Sequence, residues 1–142
     1  MPITERKVLV YAVRGERVLV FDEPTHPDEG PQVPGGSIEP RESPREAAAR
    51  EFLEETGRKA GRLVALPVRE HRFARGGRTH RHLRHAFAFR APTHWPRGWD
   101  WWETSPHGGG APILFRFRWM PLARARHALV AGTGLPLADG LP

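Results

Sequence analysis

The alternation of apolar and polar residues along the chain predicts a series of β-strands interrupted by two helices. Two β-rich runs at residues 7–13 and 17–22 are separated by a short glycine-containing turn, which is typical of a hairpin. Further strands are predicted at residues 62–73, 78–90 and 113–119, where apolar side chains recur at alternate positions. This order of elements predicts an α/β fold, an α/β/α sandwich in which a mixed β-sheet lies between two helices.

The first helix is predicted at residues 44–56, between a start signal and a stop signal. Ser43 can cap the N-terminus and Glu46 completes a capping box, while Gly57 suits a left-handed C-terminal cap. At ~100° per residue, one side of this helix is apolar and another is acidic. The apolar stripe expected to dock on the sheet consists of Ala48, Ala49, Phe52 and Leu53.

Residues 92–112 interrupt the strand pattern with prolines, three successive glycines and four tryptophans. The segment is too long and too aromatic for an ordinary connection, so we expect a lid or a binding loop. The second helix is predicted at residues 121–131. The tail after Gly132 is expected to be poorly ordered.

Three carboxylates, those of Glu51, Glu54 and Glu55, gather on the acidic side of the first helix. Their mutual repulsion costs a few tenths of a kcal/mol per pair on an isolated helix, so a cationic partner is expected. Hard cations such as Mg²⁺ and Mn²⁺ prefer oxygen ligands and share their coordination shell with substrate phosphates. A solvated acidic face paired with Arg50 is the better interpretation of an isolated E-x-x-E-E pattern, but the spacing here extends much further.

Residues 36–58 resemble the Nudix box, G-x5-E-x7-R-E-U-x-E-E-x-G-U, where U is a bulky apolar residue. The one departure is the final U, which is Arg58. This position follows the helix cap, so we expect the change to affect strand packing more than metal binding. The resemblance implies a Nudix-type α/β/α sandwich and a pyrophosphohydrolase. Such an enzyme cleaves a nucleoside diphosphate linked to another moiety, through attack of water on phosphorus.

The resemblance also implies roles for individual residues. The implied ligands of Mg²⁺ or Mn²⁺ are the carbonyl of Gly36 and the carboxylates of Glu51, Glu54 and Glu55. The implied catalytic set is Glu51, Arg50, Glu54 and Glu55. Within that set Glu51 is the first candidate for the general base, and Arg50, braced by Glu42, orients it through a charge-assisted hydrogen bond. Glu103 and His107 are alternative bases, although a solvent-exposed loop acid is the favoured interpretation of Glu103.

The substrate-binding candidates come from the second half of the chain, and they are His85, Arg84, Glu103 and Trp102. On a strand, His80 and His82 share a face while His85 points to the other, so the three do not converge on a transition metal. We expect the histidines and arginines of this strand either to line the substrate cleft or to lie on the surface. The tryptophans can stack on a base, but more often such residues close the edge of a core.

Composition narrows the class of protein. The chain has 142 residues, of which 39% are hydrophobic and 27% charged, and no cysteine, so we expect a single domain over residues 1–142 without disulfides. No apolar run is typical of a signal peptide or a membrane helix, which favours a cytoplasmic enzyme. Residues 1–57 carry 7 basic and 12 acidic residues, whereas residues 58–142 carry 15 basic and 4 acidic ones. A basic surface attracts phosphorylated substrates and does not exclude nucleic acid.

Three functions remain in competition at the level of sequence. A metal-dependent hydrolase acting on a phosphorylated small molecule, most simply a nucleotide, is favoured because the box has all its glutamates. The alternatives are a non-hydrolytic Nudix-fold nucleotide-binding module and a nucleic-acid-binding module. Markers of particular substrates are absent, so nucleoside triphosphates, nucleotide sugars and other diphosphates stay open, as does the choice between monomer and homodimer.

Overall fold

The structure is a computed structural model that describes residues 1–106 and 109–139. Eight strands and two α-helices make up most of this part of the chain. The strands are β1 (Ile3–Arg14), β2 (Arg17–Asp22), β3 (Gly35–Ser37), β4 (Val64–Ala65), β5 (Arg69–Arg75), β6 (Arg78–Arg90), β7 (Gly98–Glu103) and β8 (Ile113–Pro121). The helices are α1 (Pro44–Thr56) and α2 (Leu122–Ala128). No helix of the described residues is long and apolar enough to cross a membrane.

The strands form one mixed sheet. Its main order is β4-β6-β1-β2-β8-β7, while β3 pairs with β1 and β5 pairs with β6. The pair of β1 and β6 is parallel, and the other pairs of named strands are antiparallel. Because β1 lies at the centre and β3 is hydrogen-bonded to it, Gly35 and Gly36, which we call the glycine turn, are fixed against the middle of the sheet ahead of α1.

Each face of the sheet buries its own hydrophobic cluster, because successive side chains of a strand point to opposite faces. Val8 and Val10 of β1 pack with Phe52 of α1, whereas Tyr11 packs with Ala125 of α2. We call these the α1 face and the α2 face. The predicted α/β/α sandwich, with a helix on each face of a mixed sheet, is therefore confirmed.

One predicted strand and one predicted loop differ from the structure. The strand predicted at residues 62–73 is divided into β4 and β5, and Pro67, which lacks a backbone N–H, lies between them. Residues 92–112 were predicted to be a loop, yet they contain β7, which pairs with β8 along its whole length. The tryptophans and glycine of this segment concealed a strand at the edge of the sheet.

The tail after Gly132 was expected to be poorly ordered, and the structure contradicts this expectation for the residues it describes. Thr133 and Leu137 are buried against the α2 face. The buried hydroxyl of Tyr11 donates a hydrogen bond of 2.5 Å to the carbonyl of Thr133. This bond anchors the tail because an unpaired hydroxyl in the core would be costly.

Candidate active site

The ends of α1 lie where the sequence predicts them. The Ser43 hydroxyl accepts a hydrogen bond of 3.1 Å from the backbone N–H of Glu46, and the Glu46 carboxylate accepts one of 3.0 Å from the N–H of Ser43. At the other end Gly57 adopts a left-handed conformation with φ of 73° and donates to the carbonyl of Leu53. The capping box and the C-terminal cap satisfy backbone groups that helix ends otherwise leave unpaired.

The buried side of α1 differs from the predicted stripe, since Ala49 and Leu53 are exposed. The buried residues are instead Ala47, Ala48, Phe52 and Thr56. This rotation turns the acidic side of α1 partly toward the sheet. Glu55 lies against β3, where its carboxylate accepts a hydrogen bond of 2.6 Å from the N–H of Gly35. The helix orientation thus includes a hydrogen bond between Glu55 and Gly35, which the apolar periodicity of the sequence does not reveal.

The glycine pair of β3 allows this close approach between backbone and carboxylates. A Cβ atom on Gly35 would overlap with the carbonyl oxygen of Val8, and one on Gly36 would overlap with the carboxylate of Glu51. A larger residue at either position would displace the strand or the glutamate. The backbone of residue 36 and the Glu51 side chain can thus lie this close only because residue 36 has no side chain.

Arg50 connects the carboxylates of the site. It holds Glu42 with two hydrogen bonds of 2.7 and 2.9 Å, and it donates to Glu51 at 2.9 Å and to Glu54 at 3.4 Å. A further bond of 3.0 Å reaches the carbonyl of Ser37 next to the glycine turn. These are the contacts that the predicted orienting role of Arg50 requires. The hydrogen bonds from Arg50 also hold the pKa of Glu42 below its usual range.

Glu103, at the end of β7, lies in the same cleft. Its side chain was expected to be an exposed loop acid, but it is buried and accepts a hydrogen bond of 2.8 Å from the N–H of Ser105. The strand β7 carries it there because Trp99, Trp101 and Glu103 alternate toward the α1 face. Glu103 was a predicted candidate, but it lies in a buried cleft rather than in the exposed loop that was expected.

Burial dominates the electrostatics of the glutamates in the cleft. It raises the pKa of Glu51 to about 7, against the hydrogen bond from Arg50 that lowers it. It also raises the pKa of Glu55 well above the usual range, only partly opposed by the hydrogen bond from Gly35. The charge of Glu103 adds to both shifts. Two neighbouring carboxylates are therefore destabilised in their charged forms.

The cleft has a volume of about 640 Å³ and contains the four glutamates contributed by α1 and β7. The cleft is also lined by Ile113 and Phe115 of β8; Ile113 pairs with Glu103 in the register of β7 and β8, and Phe115 is buried. Sequence analysis did not select Lys7, which also lies at the cleft and donates a hydrogen bond of 2.7 Å to Ser37. A lone lysine in a β-rich run offers no signal of such a position. For Ile113 and Phe115 the available signal was that both lie on the same side of the strand predicted at residues 113–119.

The donor set fits a hard cation. Within the described part of the chain, no three acidic, histidine or cysteine side chains already surround a metal position. The hydrogen bonds above direct Glu51 and Glu54 to Arg50, and Glu55 to Gly35. However, the acidic side chains of the cleft offer only oxygen ligands, and the carboxylates of Glu51 and Glu55 are buried and repel each other, which is the chemistry that Mg²⁺ and Mn²⁺ match.

The structure does not bring the other substrate-binding candidates to the cleft. Arg84 lies on the α2 face, where it donates to the carbonyl of Ala131. Trp102 is 56% exposed and pairs in register with Leu114, away from Glu103. His85 lies beside Val8 in the register of β1 and β6 and is not among the residues that line the cleft. His107, the other alternative base, lies outside the described residues.

An α/β/α sandwich whose first helix faces a glycine turn with clustered glutamates defines the class of the protein as the Nudix fold. The model of the NUDIX domain matches residues 4–137, and the chain belongs to this family. It is accordingly a Nudix hydrolase.

Solved structures of low sequence identity share the fold. A MutT Nudix hydrolase from Burkholderia pseudomallei is 20% identical with a TM-score of 0.71, covering 97% of this chain and 98% of that one. A Nudix hydrolase from Nitrosomonas europaea is 22% identical with a TM-score of 0.67, covering 98% and 87%. The Ap4A hydrolase of C. elegans is 17% identical with a TM-score of 0.55, covering 98% and 97%.

Proposed function

We propose that the protein hydrolyses a phosphoric anhydride bond in a nucleoside diphosphate linked to another moiety, in a reaction that depends on Mg²⁺ or Mn²⁺. The observation that carries this proposal is the convergence of four glutamates from α1 and β7 on one cleft beside the glycine turn. Carboxylates so placed are unfavourable without a cation, and a cation beside an open cleft can bind phosphate oxygens.

The residues that would hold the cation are the ones the sequence predicts. They are the carbonyl of Gly36 and the carboxylates of Glu51, Glu54 and Glu55. When bound, the cation would neutralise charge on the phosphate oxygens and acidify a water molecule. Glu55 is the most buried of these carboxylates, and we assign it the largest share of cation binding.

Proton transfer falls to Glu51 in this proposal. A pKa of about 7 leaves its carboxylate able to accept a proton from the attacking water near neutral pH. Arg50 positions Glu51 through their hydrogen bond, and Glu42 holds Arg50 from the other side. Glu103 is the second candidate for the base, because it is buried in the same cleft. It is also the one predicted substrate-binding residue that lines the cleft.

The substrate class follows from the lining of the cleft. The carboxylates, once a cation is bound, suit a diphosphate, and the partly buried side chain of Ile113 beside Glu103 gives the cleft an apolar surface for the linked moiety. We therefore propose a phosphorylated small molecule, and within that class a nucleotide or nucleotide derivative.

A panel of nucleoside di- and triphosphates, dinucleotides and nucleotide sugars tests this proposal, with Mg²⁺ or Mn²⁺ and chromatographic identification of the products. We expect cation-dependent cleavage between two phosphorus atoms. Glu55→Gln should abolish hydrolysis and cation affinity together. An active Glu55→Gln enzyme would disprove the metal assignment. Nucleotide binding without turnover of any panel member would instead support the non-hydrolytic module.

A further inference from the structure

The hairpin of β5 and β6 carries a concentration of positive charge that the proposed reaction does not use. We define the basic hairpin as residues 69–84, which include six arginines, three histidines and one acidic residue, Glu70. Its two faces differ in how this charge is balanced. On one face Glu70 forms ion pairs with Arg72 and, at 2.8 Å, with Arg81. The arginines of that face are therefore partly neutralised.

The other face of the basic hairpin holds a row of rings. In the register of the two strands, Phe73 lies opposite His80 and His71 lies opposite His82. The rings of Phe73 and His80 are nearly parallel, at 11°, with centroids 5.1 Å apart. His71 and His82 lie 5.5 and 4.9 Å from Phe73. We call these four side chains the ring platform. His71, Phe73 and His80 are close to parallel, whereas His82 stands nearly perpendicular to Phe73, at 82°, and all four side chains are half-buried.

Opposed arginines lie at both ends of the ring platform on the same face. Arg75 pairs with Arg78 beyond it, and Arg69 pairs with Arg84 before it. Like charges directly opposite each other destabilise a sheet. Arg75 and Arg78 are exposed, and neither forms an ion pair with another described residue. The guanidinium of Arg75 lies 5.2 Å from the Phe73 ring centre. The exposed arginines and the ring platform thus lie on the same face of the basic hairpin.

This surface is separate from the carboxylate cleft. Arg84 and the ring platform lie on the α2 face, whereas the glutamates lie on the α1 face. From residue 78 to residue 84 the strand spans about 20 Å at ~3.3 Å per residue. The surface is long enough for several nucleotides of an extended strand and too long for a single small anion.

We propose that this face of the basic hairpin binds single-stranded nucleic acid. Arg75 and Arg78 contact phosphates, and unpaired bases stack on rings of the ring platform, since every base has a face that stacks on aromatic side chains. An acidic protein would be attracted by the same arginines but would gain little from four rings in a row. The proposal goes beyond the hydrolytic function and does not depend on it.

Fluorescence anisotropy with an end-labelled RNA of about 12 nucleotides tests the proposal, a length within the usual site sizes. The RNA carries a 5′-hydroxyl and the buffer contains EDTA, so that the carboxylate cleft has neither cation nor terminal phosphate to bind. We expect Phe73→Leu to weaken binding by about fivefold or more, and Phe73→Trp to retain it, because stacking requires a ring. Thermal melting confirms that each variant is folded. Folded Phe73→Leu with unchanged affinity would overturn the base-stacking part of the proposal.

The charge contribution is tested by the dependence of affinity on salt. Arg75→Gln and Arg78→Gln should each reduce the slope of log K against log salt by roughly 0.7, the value for one phosphate contact on a single strand. Arg72→Gln is the matched control, because it removes the same charge from the opposite face of the same strand. Equal effects of Arg72→Gln and Arg75→Gln would show a generally basic surface and reject the proposal. Duplex RNA and heparin that bind as tightly as the single-stranded RNA would reject it as well.

Discussion

At the scale of single residues, the site depends on how closely a backbone without side chains approaches a carboxylate. Gly36 has no positive φ, so its conformation alone would admit other residues. Its requirement for glycine comes from the Glu51 carboxylate, which occupies the place of a Cβ atom. The Nudix box identifies Gly36 from the sequence, but the close approach between Gly36 and Glu51 exists only after α1 has packed on β1 and β3.

Gly36→Ala should therefore reduce activity more than stability. The added methyl group meets the end of a flexible side chain, so Glu51 can turn away at little cost to folding, but it then leaves its hydrogen bond with Arg50. We expect kcat/KM to fall by about 100-fold, the effect of ~1 Å misplacement in an active site. Steady-state kinetics and thermal melting measure the two quantities. A variant with normal kinetics would show that the proximity of residue 36 to Glu51 has no role.

At the scale of elements, two tryptophans of β7 complete the C-terminal end of α1. The indole N–H of Trp99 donates to the carbonyl of Thr56 at 2.9 Å, and that of Trp101 donates to the carbonyl of Glu54 at 2.8 Å. The last carbonyls of a helix lack partners within it. The same two bonds fix β7 relative to α1, and β7 ends at Glu103 in the cleft. The tryptophan segment thus acts as a structural support for the site.

Trp101→Phe should test this support, with Trp102→Phe as its control on the same strand. The first change removes the donor to Glu54, for which about 1 kcal/mol of unfolding free energy is expected. Trp102 is 56% exposed, so its replacement should change stability by less than ~0.5 kcal/mol. Urea unfolding gives both values. Equal stability of the two variants would mean that the indole bond contributes nothing.

The elements differ, for physical reasons, in how well their limits could be predicted from the sequence. The limits of α1 could be predicted because caps are local interactions of Ser43, Glu46 and Gly57. The strand β7 could not, because it is stabilised by pairing with β8 and by bonds to a helix more than forty residues away in sequence. For the same reason Glu103 was placed in a loop.

Arg58, the departure from the Nudix box, was expected to affect packing. Its guanidinium lies over the ring of Trp99, 4.4 Å from the ring centre.

At the scale of the whole molecule, a chain of net charge +6 places six of its 16 acidic residues at one cleft. The fold tolerates this arrangement through Arg50 and the hydrogen bond from Gly35, but burial still disfavours the charged form of Glu55. Because the pKa of Glu55 is raised in the folded state, this group destabilises the fold progressively as the pH rises through and above the ordinary carboxyl range. The effect is complete once the pH exceeds the raised value.

Mg²⁺ should consequently stabilise the folded protein. Glu55→Gln should give part of the same stabilisation in the absence of Mg²⁺. Saturation at about 100 times the dissociation constant adds roughly 2.7 kcal/mol, if the unfolded chain does not bind the ion. At about pH 8, above the ordinary carboxyl range, Glu55→Gln should melt a few degrees above the unmodified protein without Mg²⁺, since it removes an acid whose charged form burial disfavours. It should also show little further rise with Mg²⁺. Glu29→Gln, which removes an exposed carboxylate, should leave both melting temperatures unchanged. A Glu55→Gln protein less stable than the unmodified one would contradict the unfavourable burial of Glu55. A Glu55→Gln protein that Mg²⁺ still stabilised would contradict its assignment as a cation ligand.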